Sequence, residues 1–144
     1  MTLNDNQLAI LKARLSRTEG RRNRPYVDTV GKVTIGIGHN LSDKGISDKI
    51  VDALFEEDIQ EAVTGAETLP IFDKLDAVRQ TVIVDMVFNM GIDSVREFKN
   101  TLMLLGQGNW EKAADAMLNS HWATQVGNRA IELAKIIRTG EISG

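Results

Sequence analysis

The apolar positions of the chain switch between helical and alternating spacing, and each switch marks an element. Leu8, Leu11 and Leu15 recur at helical spacing behind Asn4 or Asp5 as a cap. This predicts a helix from about residue 5 to Glu19, stopped by Gly20. Residues 25–45 lose that period. Tyr26-Val27 and residues 33–37 are short β-like runs, with Asp28-Thr29-Val30-Gly31 as the turn between them. A third short strand is expected near Leu41. Ser47 or Asp48 then opens a long helix to about Gly65, with Val51, Leu54, Phe55, Ala62 and Val63 on one face. Leu69-Pro70 breaks the chain. Residues 73–90 are apolar on nearly every side from Val82 to Met90, the mark of a central buried helix. Phe98 to Leu105 gives a short helix. Gly106 and Gly108 bracket a turn, and Asn109 caps a helix with Trp110, Ala113, Ala114, Met117 and Leu118 on one stripe. A last helix runs from about Asn128 to Arg138 and stops at Gly140.

The pattern predicts an α+β, mainly α chain forming a single domain over 1–144. An N-terminal helix and small sheet lobe occupy about 1–46, a connecting helix about 47–66, and a helical lobe about 67–144. Composition narrows the class. With 144 residues, 42% hydrophobic and 26% charged, the chain is of the globular kind. The absence of cysteine excludes disulfides and thiolate chemistry. His39 and His121 are the two histidines, so no metal site and no metal cofactor are expected. A net charge of −3 gives no global attraction to nucleic acid. No apolar run is long enough for a membrane span, and the first residues lack the basic start of a signal peptide. The chain is expected to stay in the compartment where it is made until something releases it.

Candidate chemistry gathers before residue 60. Glu19 ends a helix, whose negative pole disfavours an ionised carboxylate, which suits a proton donor. The bland alternative is a solvated surface glutamate. Asp28 opens a turn, where an aspartate ordinarily bonds its own backbone. Along the following strand Val33, Ile35 and Ile37 are expected to point into the core, leaving Thr34, Gly36 and Gly38 on the other face. Bare backbone at Gly36 and Gly38 suits either close approach of a ligand or a hairpin that needs glycine. Gly36-x-Gly38 is not a nucleotide-binding signature, because no third glycine follows at the required spacing. Asp58 falls on the apolar stripe of the long helix and needs a partner there; His39 is predicted to pair with it and tie sheet to helix. Lys12, Arg14, Arg17, Arg21, Arg22 and Arg24 form a basic tract opposed only by Glu19. That tract suits an anionic polymer or is simply solvated.

At Glu19, Asp28 and Thr34 the chain resembles the phage T4-type lysozymes, the endolysin muramidases of glycoside hydrolase family 24. Their signature is Glu, eight residues, Asp or Cys, five residues, Thr, and this spacing is present. The resemblance continues through Leu75-Asp-Ala-Val-Arg79, Val84-Asp-Met-Val-Phe-Asn-Met-Gly91, Phe98-Lys-Asn-Thr-Leu102, Trp110, Trp122, Asn128-Arg129-Ala130 and Arg138-Thr-Gly140. It covers nearly the whole chain.

The resemblance implies a lysozyme-like fold and hydrolysis of the β-1,4 bond between N-acetylmuramic acid and N-acetylglucosamine in bacterial peptidoglycan. It implies Glu19 as general acid, Asp28 as the carboxylate that stabilises the transition state or positions water, and Thr34 as a holder of that water. Gly36 is expected in the wall of the substrate site. The family pattern also assigns Asn89, Phe98, Asn100 and Asn128 to substrate contact, and Arg129 resembles the arginine that faces the catalytic glutamate. A monomer, released from the host cytoplasm through a holin-type membrane lesion, is the expected context. A lytic transglycosylase, a non-catalytic glycan binder and a membrane-active protein are the competing readings. Between His39 and Asp58 the chain has far fewer residues than the family pattern.

Overall fold

Asn4 starts the first helix as a capping box. Its side chain accepts from the Gln7 backbone N–H at 2.8 Å, and the Gln7 side chain accepts from the Asn4 N–H at 2.9 Å. This helix, α1 (Asp5–Glu19), ends where Gly20 takes φ 77°. A computed structural model describes residues 2–142. They fall into two units, divided between Asp52 and Ala53.

In the first unit α1 is followed by an antiparallel sheet in the order β1-β2-β3: β1 (Arg22–Val27), β2 (Val33–Gly36) and β3 (His39–Asn40). Tyr26 lies opposite Thr34 and Val27 opposite Val33, while the register slips between Arg22 and Tyr26. Pro25 sits in that irregular stretch, where a residue without an N–H does least harm to the ladder. A one-turn helix, α2 (Leu41–Lys44), begins where a third strand was expected; the strand ends one residue earlier. Asn40 caps α2 by accepting from the Asp43 N–H, and Ser42 Oγ accepts from the Val33 N–H at 2.8 Å.

The burial expected around β2 is not met at Val33, Thr34 and Ile37. Thr34 is buried, at 3% exposure, whereas Val33 and Ile37 are 40% and 41% exposed. Thr34 is at the middle of the central strand, with Tyr26 opposite on one side and Asn40 on the other. Its hydroxyl donates to the Lys32 carbonyl at 3.0 Å, so burial leaves no unmet donor.

The long helix, α3 (Asp48–Glu67), buries only Ala62 and Ala66. Val51, Leu54 and Phe55, expected on the same buried face, are exposed. Burial is confined to the last turns, where the helix meets its neighbours. A Cβ at Gly65 would lie 3.2 Å from Ile92 Cβ and 3.3 Å from Val87 Cγ1.

In the second unit a 3-10 turn at Phe72–Lys74 precedes α4 (Ala77–Met90), which buries Arg79, Val82, Ile83, Met86 and Val87. This is the central helix read from the sequence. Around it follow α5 (Ile92–Arg96), α6 (Lys99–Gly106), α7 (Trp110–Leu118), α8 (His121–Val126) and α9 (Asn128–Thr139). The apolar stripe of α7 is buried at Ala113, Ala114 and Met117, and α9 buries Ala130, Leu133, Ala134, Ile136 and Ile137. The buried hydrophobic core runs from Ala62 to Ile137. The whole is mainly α with a small sheet, a lysozyme-like α+β fold.

Arg79 joins the two ends of this unit. Its Nε donates to the Ile137 carbonyl at 2.7 Å and its Nη1 to Asp76 Oδ2 at 2.8 Å, while the guanidinium lies 3.9 Å above the Trp110 ring. A Cβ on Gly140 would come within 2.8 Å of Arg79 Nη1, so the glycine that ends α9 also makes room for the arginine. Asp76 caps α4 by accepting from the Arg79 N–H. Burial alone would push the Asp76 carboxyl up, but the hydrogen bonds from the Arg79 backbone and side chain, with the guanidinium charge, outweigh it and hold the group below its ordinary value. Asp76→Ala is expected to lower unfolding free energy by about 1–2 kcal/mol at neutral pH. Because the folded value is depressed, the ionic part of this stabilisation is present above about pH 4. It fades as pH falls through the folded value. Urea unfolding of wild type and Asp76→Asn should therefore converge in acid; a gap that widens there would contradict the assignment.

Candidate active site

Glu19 is the last residue of α1 and is exposed. The positive φ of Gly20 turns the chain sharply into β1, leaving the carboxylate at the helix end. It reaches the β2–β3 turn. A methyl group built on Gly38 would lie 2.9 Å from Glu19 Oε2 and 3.2 Å from its Cδ. Gly38 has φ +66° and Gly36 φ +68°, so both hairpin glycines occupy the left-handed region. Nothing lies within 4 Å of a Cβ at Gly36. Gly38 is thus needed twice, for the turn and for the acid packed on it, whereas Gly36 leaves open space.

Asp28 sits at the opposite end of β2. Its backbone N–H donates to the Lys32 carbonyl at 2.9 Å, and its carbonyl accepts from Gly31 at 3.1 Å. Gly31 takes φ 86°, as a five-residue hairpin turn with a glycine bulge requires. The side chain makes the Asx turn expected of an aspartate there. Oδ1 accepts from the N–H of Val30 at 3.0 Å and of Lys32 at 2.8 Å. Among the described residues, Oδ2 accepts no hydrogen bond. The carboxylate is therefore oriented through one oxygen and open at the other.

Thr34 is on the strand between them. Its proton is held by the Lys32 carbonyl, so toward any other group the hydroxyl oxygen acts as an acceptor. Glu19, Asp28, Thr34 and Gly36 are all supplied by one small unit.

His39 Nε2 stands 2.6 Å from the Gly45 carbonyl oxygen, so Nε2 carries the proton. That bond ties β3 to the end of α2. Asp58 belongs to the second unit and is exposed. The need for a partner that its place on the apolar stripe implied is removed, because a solvated carboxylate requires none. Arg129 donates through Nε at 3.1 Å and Nη2 at 2.6 Å to Asp85 Oδ1, a partner on α4.

The second unit carries the other expected substrate residues. Phe98 and Asn100 line an open recess of about 600 Å3 together with His121, Trp122 and Gln125. Phe98 meets Trp122 edge to face, ring centroids 6.1 Å apart. Asn89 is already engaged within the protein: its Oδ1 accepts from the Trp122 indole N–H at 2.9 Å. Asn128 is exposed at the start of α9. Sequence reasoning did not assign Trp122 a place in this recess. Its burial in a six-residue helix with little apolar period gave no such signal.

Residues 16–138 match the sequence family described as phage lysozyme. The chain belongs to the phage lysozyme family. It is 32% identical to a probable T4-type lysozyme of Dictyostelium discoideum over 92% of this chain and 96% of that one. It is 30% identical to the endolysin of Salmonella phage P22 over 73% of this chain and 76% of that one. It is also 29% identical to the pre-baseplate central spike protein Gp5 of Enterobacteria phage T4, over 96% of this chain and 29% of that one. The Dictyostelium alignment runs over 163 residues, more than this lysozyme-family chain contains, so the relative carries insertions.

Gly36→Ala and Gly38→Ala should each lower stability by about 1–2 kcal/mol, because both force a side chain into the left-handed region. Only Gly38→Ala should displace the Glu19 carboxylate. Side-chain carboxyl NMR of Glu19 is expected to shift in that variant and stay in place in Gly36→Ala. Equal shifts in both would show that Gly38 does not seat the acid.

Proposed function

We propose that this chain, acting as one catalytic domain, hydrolyses the β-1,4 bond between N-acetylmuramic acid and N-acetylglucosamine in bacterial peptidoglycan, as a muramidase. The observation that carries the reading is the seating of the Glu19 carboxylate on Gly38 in the same small sheet that orients Asp28. Membership of the phage lysozyme family supports it, as does similarity to a protein named as an endolysin.

Glycoside hydrolysis commonly divides its work between two carboxyl groups, one to protonate the leaving oxygen and one to stay ionised. Glu19, seated on Gly38 at the end of α1, suits the first role. Asp28 suits the second, because Oδ1 is fixed by two backbone donors and Oδ2 is left for a water or a developing positive charge. Thr34 accepts a hydrogen bond from that water. Inversion at the sugar carbon is what the family resemblance implies, with Asp28 positioning the attacking water. Within the second unit, the recess lined by Phe98 and Asn100 offers a ring and an amide to a sugar of the polymer. Among the described residues no helix is long and apolar enough to cross a membrane. Release to the wall through a holin-type lesion, with lysis of the host cell, is the proposed setting.

Glu19→Gln is expected to reduce release of reducing ends from purified sacculi by about 10²–10⁴-fold, the usual worth of a positioned general acid. Its fold should be intact by circular dichroism. Mass spectrometry of wild-type products should show muropeptides that have gained one water. Full activity in the variant, or anhydro-sugar ends from wild type, would contradict the hydrolytic assignment.

A further inference from the structure

In the first unit Thr34 is the one described residue that is fully buried, so the aim of Asp28 and Thr34 depends on polar bonds more than on apolar packing. Those bonds meet at Lys32. Its N–H donates to Asp28 Oδ1 at 2.8 Å. Its carbonyl accepts from the Asp28 N–H at 2.9 Å and from the Thr34 hydroxyl at 3.0 Å. One position in the chain therefore sets the Asp28 carboxylate, the turn that carries it and the hydroxyl of Thr34. Whatever holds residue 32 holds both groups.

Helix α2 holds it through two side chains. Lys32 Nζ pairs with Asp43 Oδ1 at 2.9 Å, and Asp43 Oδ2 accepts from the Asn40 side-chain amide at 3.0 Å. The Asp43 N–H also donates to Asn40 Oδ1 at 3.0 Å, so the carboxylate is itself fixed before it meets the lysine. Beside it, Ser42 Oγ accepts from the Val33 N–H at 2.8 Å. The β2–β3 register pairs Ile35 with His39 and Thr34 with Asn40, so Leu41 would come next, opposite Val33. The chain has already turned into α2 at Leu41, and the serine hydroxyl replaces the strand as acceptor. The end of α2 is anchored in turn by the His39–Gly45 bond.

These contacts are poorly suited to a purely stabilising role. The Lys32 and Asp43 side chains are 42% and 53% exposed, and ion pairs open to water contribute little to folding. They are well suited to geometry. A carboxylate bonded through both oxygens holds a lysine whose backbone orients two reacting groups, and small misplacements of such groups cost much rate. We infer that Ser42 and Asp43 are positioning residues for the reaction, acting through Val33 and Lys32 on Thr34 and Asp28. The inference rests on the muramidase reading above and adds to it the element that keeps the second carboxylate aimed.

The test uses the full chain with Ser42→Ala, Asp43→Ala and Lys32→Met, and with Ser42→Thr and Lys32→Arg as conservative variants. Release of reducing ends from soluble peptidoglycan fragments is expected to show kcat lower by about tenfold to a hundredfold in the first three, with KM unchanged. Their melting temperatures should stay within about 2 °C of wild type. Ser42→Thr and Lys32→Arg should keep most of kcat. The Lys32→Met/Asp43→Ala double variant should fall no further than either single one, because the two act as one link. In Asp43→Ala, amide hydrogen exchange at Val30 and Lys32 should quicken and the Asp28 carboxyl NMR signal should shift. Unchanged kcat in Ser42→Ala and Asp43→Ala would overturn the inference. So would a rise in KM alone, or a loss of activity matched by a general fall in melting temperature. Wild-type protein that releases no reducing ends would sink the muramidase reading instead; the exchange rates and the Asp28 signal then decide whether α2 sets the turn.

Discussion

The position of one carboxylate against one glycine governs the site. Glu19 can lie on the β2–β3 turn only because residue 38 has no side chain, and the turn itself demands a left-handed residue there. Two requirements of different origin, backbone conformation and space for an acid, fall on the same position. The end of α1 supplies the third condition. Gly20 stops the helix at the residue that carries the carboxylate, so the acid projects at a helix terminus instead of along a helix face. A frame of short strands and tight turns can place such a group with few residues, because each turn fixes its own geometry through backbone hydrogen bonds.

Stability and chemistry are drawn from different parts of the chain. The buried hydrophobic core belongs to the second unit, where α4, α7 and α9 supply most of it. There Arg79 binds the start of α4 to the end of α9 and lies on Trp110. In the first unit Thr34 is the residue that reaches full burial among those described. Its order comes from capping, the Asp28 turn, the His39–Gly45 bond and the sheet ladder. A unit held mainly by exposed hydrogen bonds belongs to the lower end of the local stability range, where catalytic segments are commonly found.

How much of this could be read from sequence depended on period and on distance along the chain. The helices with strong apolar repeats, α4, α7 and α9, were legible because burial of one stripe imposes the pattern. Helix α1 buries no residue fully, and its bounds were legible from Asn4 and Gly20 instead. The short helices α2, α5 and α8 were not, since four to six residues do not complete a recognisable repeat. The Glu19, Asp28 and Thr34 spacing was legible, and so was the Asp28 turn. The burial of Thr34 is not legible from hydrophobic alternation. Place in the middle of the sheet, with a carbonyl for the hydroxyl, decided it instead. The pairing of Asn89 with Trp122, and of Asp85 with Arg129, spans more than thirty residues and leaves no local signature.

The central claim is that Glu19 and Asp28 address a single glycosidic linkage. A crystal structure of the Glu19→Gln protein holding an uncut peptidoglycan fragment measures this directly. The expected result places the side-chain amide at position 19 within hydrogen-bond reach of the linkage oxygen, with Asp28 Oδ2 on a water beneath the same sugar. A fragment seated with its linkage away from residues 19–38, or with Asp28 remote from the ring being cut, would contradict the account.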